Sequence, residues 1–402
     1  MRLLLGLLMF WGSITAQASE LTSTYDIRLD ATSYKSRKYD VVTSVTITNH
    51  ATSAIDELVW LLYPNRYKKK LPNVDDINHH MIYPNGYSKG FLDIVEIEID
   101  HQKVSRDHIQ ILDEDRFGEV FVKLSLDAPL EVESSVTIRF VSKLKVPKKY
   151  GSFGWFRNQL TMSGGWSPVL LAYENGEFRP TYQMPLADWN VQIKVPKPYQ
   201  VVLPQSLYNE QNQSYVIAQK RQVSLLVGDM KHFETKHEPF DFVIYHHERR
   251  DRNINVSFDQ LIDNFTTFLH EKNIDRPFNY TLAQAPLREM LVVDGSPVSF
   301  YSDRAFKVIK PLHHYHEIPI YKSLFMQLYE DQVSKIESDQ DLFWVQEVVA
   351  WRLTDELVKS LDIKHRDARQ IGFLQMFKFL PLIDRVLYTP QFAFYDVFYN
   401  LV

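Results

Sequence analysis

From Leu21 to Lys236 the hydrophobic positions recur at every second residue. "VTSVTITN" (42–49) sets Val45 and Ile47 on one face and Val42, Ser44, Thr46 and Thr48 on the other. "SVTIRFV" (135–141) separates Val136, Ile138 and Phe140 from Thr137 and Arg139, and "DWNVQIKVP" (188–196) aligns Trp189, Val191, Ile193 and Val195. Successive side chains of a strand point to opposite faces, so short runs of this kind predict half-buried strands. Turn signals such as Pro84-Asn85-Gly86 and Glu174-Asn175-Gly176 separate them. The pattern predicts an all-β antiparallel sandwich over residues 19–236.

After Lys236 the period changes. "SFDQLIDNFTTFLHEK" carries Phe258, Leu261, Ile262, Phe265, Phe268 and Leu269 at helical spacing, with Ser257 and Gln260 placed as a capping box. "EMLVVDG" and "PVSFYSD" predict short strands, and from Pro319 onward the pattern is helical. Pro319 reads as a helix start, because proline is tolerated in the first turn and destabilises a helix interior by about 3 kcal/mol. The fold class is therefore α+β overall, with residues 237–402 forming a second unit whose helices come late.

Composition narrows the function classes. A formal net charge of −5 and short basic runs (Lys68-Lys69-Lys70, Arg249-Arg250) offer no field for nucleic acid. The N-terminus carries one arginine, an apolar run from Leu3 to Trp11 and the small-x-small element Ala16-Gln17-Ala18, which predicts a signal peptide over residues 1–18 and a mature chain from Ser19. No other run reaches the length of a spanning helix, so no transmembrane segment is expected in the mature chain. An exported chain with no cysteine points to a bacterial periplasmic or secreted protein, and the absence excludes lipid anchoring through cysteine, thiolate metal sites and cysteine nucleophiles. The sequons at Asn212, Asn255, Asn264 and Asn279 read as chance matches in such a chain.

The segment "YDIRLDATSYKSRKYDVVTSVTITNHATSAIDELVWLLYPNRY", followed by "MSGGWSPVLL" and "ADWNVQIKVPKPYQVVLP", resembles the N-terminal domain of the aminopeptidase N family of zinc peptidases. The resemblance runs in order through most of the mature chain and implies a β-sandwich followed by a thermolysin-like catalytic domain. That domain continues further in the family than Val402 allows here, which implies either that it is truncated in this chain or that the sequence is a piece of a longer protein. The family's metal site, HExxH-x18-E, uses two histidines one helical turn apart, a glutamate between them as general base, and a glutamate on the next helix as third ligand. "WVQEVVA" (344–350) resembles the segment that holds the third ligand and places Glu347 in its position.

Counting back from Glu347 across the spacer from Tyr329 to Gln346 puts the histidines at Leu324 and Leu328 and the base at Phe325, so in this register the resemblance implies a vestigial site. A rival register begins at His316, keeps Glu317 as base and puts Asp339 in the third position, but has Ile320 in place of the second histidine. With Pro319 as helix start, His316 and Glu317 would precede the helix. His313, His314, His316 and Glu317 could bind a transition metal or form a solvated loop, and His246-His247-Glu248 poses the same choice. Glu347 is itself anomalous, because Phe343, Trp344, Ala350 and Trp351 surround it on the helical stripe: a carboxylate buried there needs a partner or a raised pKa, and the other reading is a partly exposed glutamate at a helix surface. The family's Gly-x-Met-Glu-Asn strand, whose glutamate receives a substrate amino terminus, is matched only by Gly295 in "VVDGSPVSFYS".

No nucleophile elbow, phosphate loop or dinucleotide fingerprint is present. The expectation is an exported, catalytically silent relative of the zinc aminopeptidases, with no catalytic residue and no cofactor, acting as a binding or scaffold module for a peptide or protein. The alternative is a working metallohydrolase with zinc held near His313 to Glu317. The aromatic end "LYTPQFAFYDVFYNLV" gives a third reading, a membrane-associated assembly protein, or belongs to a core.

Overall fold

The computed structural model describes residues 20–70, 83, 86–114, 118–178, 184–247, 254–287, 290–306, 314–333 and 340–361. The expected signal peptide, His313, Asp339, Glu248 and the aromatic end lie outside them.

Leu21–Asp30 buries every second residue, as its sequence period requires: Leu21, Ser23, Tyr25, Ile27 and Leu29 point inward. It sits near the middle of an eight-stranded sheet ordered Tyr208–Asn209, Ser214–Lys220, Ala187–Lys194, Leu21–Asp30, Lys38–Asn49, Ser135–Lys145, Phe91–Ile99, Gln102–Lys103. Its pairing with Lys38–Asn49 is antiparallel, but its pairing with Ala187–Lys194 is parallel, which departs from the expected wholly antiparallel system. That parallel register sets Tyr25 opposite Trp189, and their rings stack with centroids 4.0 Å apart.

Two four-stranded sheets face this one. The Leu170 N–H of one donates to the Tyr25 hydroxyl (3.0 Å), and Trp60 meets Phe140 edge-on at 4.7 Å. The Tyr34 hydroxyl reaches the other by donating to the Val227 carbonyl (2.7 Å). The buried Tyr25 and Tyr34 hydroxyls thus each have a partner, as burial demands, whereas the buried Trp60 indole N–H has none among the described residues. Burial pushes the Tyr25 phenol up to about 12.

A five-stranded sheet follows, ordered Lys231–His237, Phe240–His246, Phe278–Ala285, Ser299–Ser302, Val292–Val293. Its two inner pairings are parallel and its outer ones antiparallel. Parallel neighbours need a crossover, and helix α1 (Ile254–Glu271) supplies it between Phe240–His246 and Phe278–Ala285. Helices α2 (His314–Val333) and α3 (Gln340–Ser360) complete the region. Phe240, Phe242, Ile244, Tyr280 and Leu282 pack with the helices, whereas Tyr245, Ala283, Ala285, Val293 and Phe300 join the core of the preceding sheets. The sheet is covered on both faces at its inner strands, where Phe278–Ala285 buries its last six residues and Ser299–Ser302 all four, whereas the edge strand Lys231–His237 has no buried residue.

Three sequence expectations shift. The change of period at Lys236 falls inside the strand Lys231–His237, because pairing rather than periodicity assigns that strand to the later sheet. Helix α1 begins at Ile254, so Ser257 and Gln260 lie inside its first turns and are not a capping pair. Helix α2 begins at His314 with Pro319 inside it. Pro319 is the sixth residue of this helix, so it lacks the N–H that would bond the carbonyl of residue 315. His316 and Glu317 are therefore helical residues and do not precede the helix. Among the described residues no helix is long and apolar enough to cross a membrane.

Candidate functional site

Residues 320–328 of α2 are buried on every side, so the helix crosses the core rather than lying on it. Tyr321 and Phe325 point at α1, where Phe325 contacts Phe265 and Phe268 at centroid distances of 4.9 and 5.9 Å. Gln327 points at the sheet, donating to the Ser299 hydroxyl (2.8 Å). Lys322 points at α3. Its ammonium donates to Glu347 Oε1 (2.7 Å) and to Asp294 Oδ2 (3.1 Å), and lies 5.7 Å from the centre of the Trp351 ring.

The Lys322 side chain is 2% exposed, that of Glu347 8% and that of Asp294 32%. Burial by itself would lower the pKa of Lys322, but the Asp294 and Glu347 carboxylates and their hydrogen bonds outweigh it and leave it raised, so the lysine is charged. Glu347 is thus buried and paired, which answers the anomaly of a carboxylate in an aromatic stripe.

Lys322 and Asp294 escaped the sequence reading. The available signals were a lone lysine amid "IPIYKSLFMQL" and an aspartate opening the Asp294-Gly295-Ser296-Pro297 turn, neither of which carries a partner in its local pattern. The turn is tight at Gly295, where a β-carbon would stand 2.2 Å from the Val298 carbonyl oxygen. It fixes Asp294 at the end of Val292–Val293, facing α2.

At 100° per residue, Leu324 and Leu328 lie roughly 160° and 120° around α2 from Lys322, on the side toward the sheet and α1. Both are buried in the apolar core, as is Phe325. Residues 324 and 328, where the count from Glu347 lands, therefore do not share a face with Glu347. The donor set does not fit zinc: Leu324, Phe325 and Leu328 have no lone pair, and an ammonium is bonded to Glu347, the carboxylate expected from the sequence as third ligand. Among the described residues no three His, Asp or Glu side chains converge as a metal site.

In the rival register, His316 Nδ1 accepts the Phe306 backbone N–H (2.6 Å). The neutral ring then carries its proton on Nε2, which leaves that nitrogen a donor. One turn on, the buried Ile320 offers no ligand atom. Glu317 is half-buried, and burial raises its carboxyl pKa.

His247 is part of a different network. Gln159 Nε2 donates to the Gln284 carbonyl (2.6 Å), so Gln159 Oε1 faces His247 Nε2 (2.7 Å), and the His247 backbone N–H donates to Gln284 Oε1 (2.9 Å). Burial lowers the His247 pKa, outweighing the nearby Asp229 and Asp303. A histidine with a depressed folded pKa contributes stability above its unfolded value, about 6.5, which is lost as pH falls through the folded value. The melting temperature is expected to drop as pH is lowered below about 6.5, and to drop less steeply in His247→Gln. Equal slopes in the two proteins would rule this histidine out as a source of the pH dependence.

No protein-family model and no curated protein matches this sequence. Two crystal structures of an M1 zinc metallopeptidase from Deinococcus radiodurans, one of them a mutant, each match with a TM-score of 0.50 at 13% identity, covering 91% of this chain and 77% of theirs. At that identity the likeness is one of fold. The chain is similar in fold to M1 zinc metallopeptidases, the aminopeptidase N family, with a β-rich first part and three helices among its described residues.

Proposed function

We propose that this chain is an exported, catalytically silent relative of the zinc aminopeptidases, in which the β-sandwich and a thermolysin-like second domain serve as a binding or scaffold module for a peptide or protein. The observation that carries this reading is Lys322: an ammonium is bonded to the carboxylate in the third-ligand position, and the residues counted as histidines and base are apolar and buried. Such a centre has no means of polarising a carbonyl or activating water as a bound zinc does.

The bacterial periplasm is the proposed compartment, on the strength of the N-terminal apolar run and the absence of cysteine. The test is elemental analysis of the purified native protein together with hydrolysis of aminoacyl and peptide substrates, with and without a chelator. Substoichiometric zinc and no chelator-sensitive hydrolysis are expected. Stoichiometric zinc with chelator-sensitive hydrolysis would overturn the reading in favour of a metallohydrolase using the His313 to Glu317 region.

A further inference from the structure

Two carboxylates from separate elements, Asp294 in a turn and Glu347 on α3, converge on one buried point, and the chain fills that point with its own ammonium. We propose that Lys322 stands where a divalent cation would bind, so that a metal centre has been replaced by a tethered monocation. Lys322 and Met326 then mark the helical ligand positions that Glu347 faces. This inference rests on the reading above for the identity of the site.

The geometry makes ammonium and metal mutually exclusive. Zinc binds a carboxylate oxygen at roughly 2.0–2.2 Å. Lys322 Nζ already lies 2.7 Å from Glu347 Oε1, so a zinc ion at that oxygen would collide with the ammonium or repel it. Lys322 and Met326 are one turn apart, roughly 40° around the helix, and so share the flank of α2 that meets α3. From Met326 the spacer to Glu347 runs over residues 327–346, two residues longer than in HExxH-x18-E. The count with the shorter spacer consequently lands on core leucines.

Charge leads to the same conclusion. With Lys322 the three groups sum to −1; with a neutral side chain in its place the two carboxylates leave −2, which a dication would cancel. Asp294, one-third exposed, gives that cation a route from solvent.

The test compares native protein, Lys322→His and Lys322→His/Glu347→Gln, each dialysed with zinc or with chelator, by zinc content and melting temperature. The native protein is expected to show no zinc-dependent shift. Lys322→His should retain about one zinc per chain and melt higher with zinc, because a ligand that binds only the folded state stabilises it. Glu347→Gln on that background should abolish both effects.

The inference is overturned if Lys322→His folds yet responds to zinc no more than native protein, or responds equally without Glu347. Should Lys322→His unfold without metal, its refolding yield replaces the melting temperature: recovery only with zinc supports the inference, and failure in both conditions overturns it. The two failures are separable. Zinc-dependent hydrolysis by native protein defeats the proposed function, whereas a metal-free native protein with an unresponsive Lys322→His defeats only the replacement.

Discussion

Lys322→Met is expected to destabilise the protein by about 3–5 kcal/mol, the usual cost of removing one partner of a buried ion pair. The figure applies because the lysine and Glu347 side chains are 2% and 8% exposed, so little solvent reaches the orphaned carboxylate. Methionine fills a similar volume, so the loss reports on charge rather than on a cavity. Adding Glu347→Leu should recover most of it, since a buried ion pair replaced by apolar residues of similar size is often neutral or stabilising. Asp294 can turn to water in that double variant. Chemical denaturation of native protein, Lys322→Met and Lys322→Met/Glu347→Leu gives the comparison. If the single change costs less than about 1 kcal/mol, the range of exposed pairs, the ion pair does not hold α2 to α3 in solution.

The second large effect is expected at Leu324. Leu324→Ala should cost about 2–5 kcal/mol, as for other fully buried leucines, because the surrounding core relaxes only partly around the lost volume. Leu324→His should cost at least as much, since it buries a polar ring among apolar neighbours. Zinc should not restore it. Converting Leu324, Phe325 and Leu328 together to histidine, glutamate and histidine is therefore expected to unfold the region with or without metal, because that face of α2 looks toward the sheet and α1 and away from Glu347. Zinc-dependent recovery of this triple variant would show that α2 turns its Leu324 and Leu328 flank toward Glu347. The contrast with Lys322→His, two residues earlier on the opposite flank, makes the two outcomes mutually informative.

These expectations show how much of the site was legible in advance. Glu347 was, because a carboxylate in an aromatic helical stripe is a local contradiction that burial alone makes expensive. Its burial and ion pair resolve that contradiction. Pro319 misled, because the rule that proline starts helices concerns a frequency, and here the helix starts one turn earlier and goes without the bond from residue 319 to the carbonyl of residue 315. The metal register misled for a different reason. A fixed spacer assumes a connection of constant length between two helices, and a two-residue difference rotates the helix by roughly 200°, which exchanges a core flank for a ligand flank.

The sequence by itself determined which side of the alternating strands and of α1 is apolar. In Leu21–Asp30 and α1 the buried residues are those whose period marks them, because side-chain direction follows from backbone geometry alone. It also determined that the positions counted as histidines cannot ligate a metal. Only the tertiary structure decided what those faces meet: Tyr25 against Trp189 in a parallel pairing 164 residues apart, the five-stranded sheet covered on both faces, and Lys322 with Asp294 around Glu347. Periodicity is local and repeats every few residues. A partner brought from another element depends on strand order and on the rotation of a helix about its axis, both set by how the whole core closes.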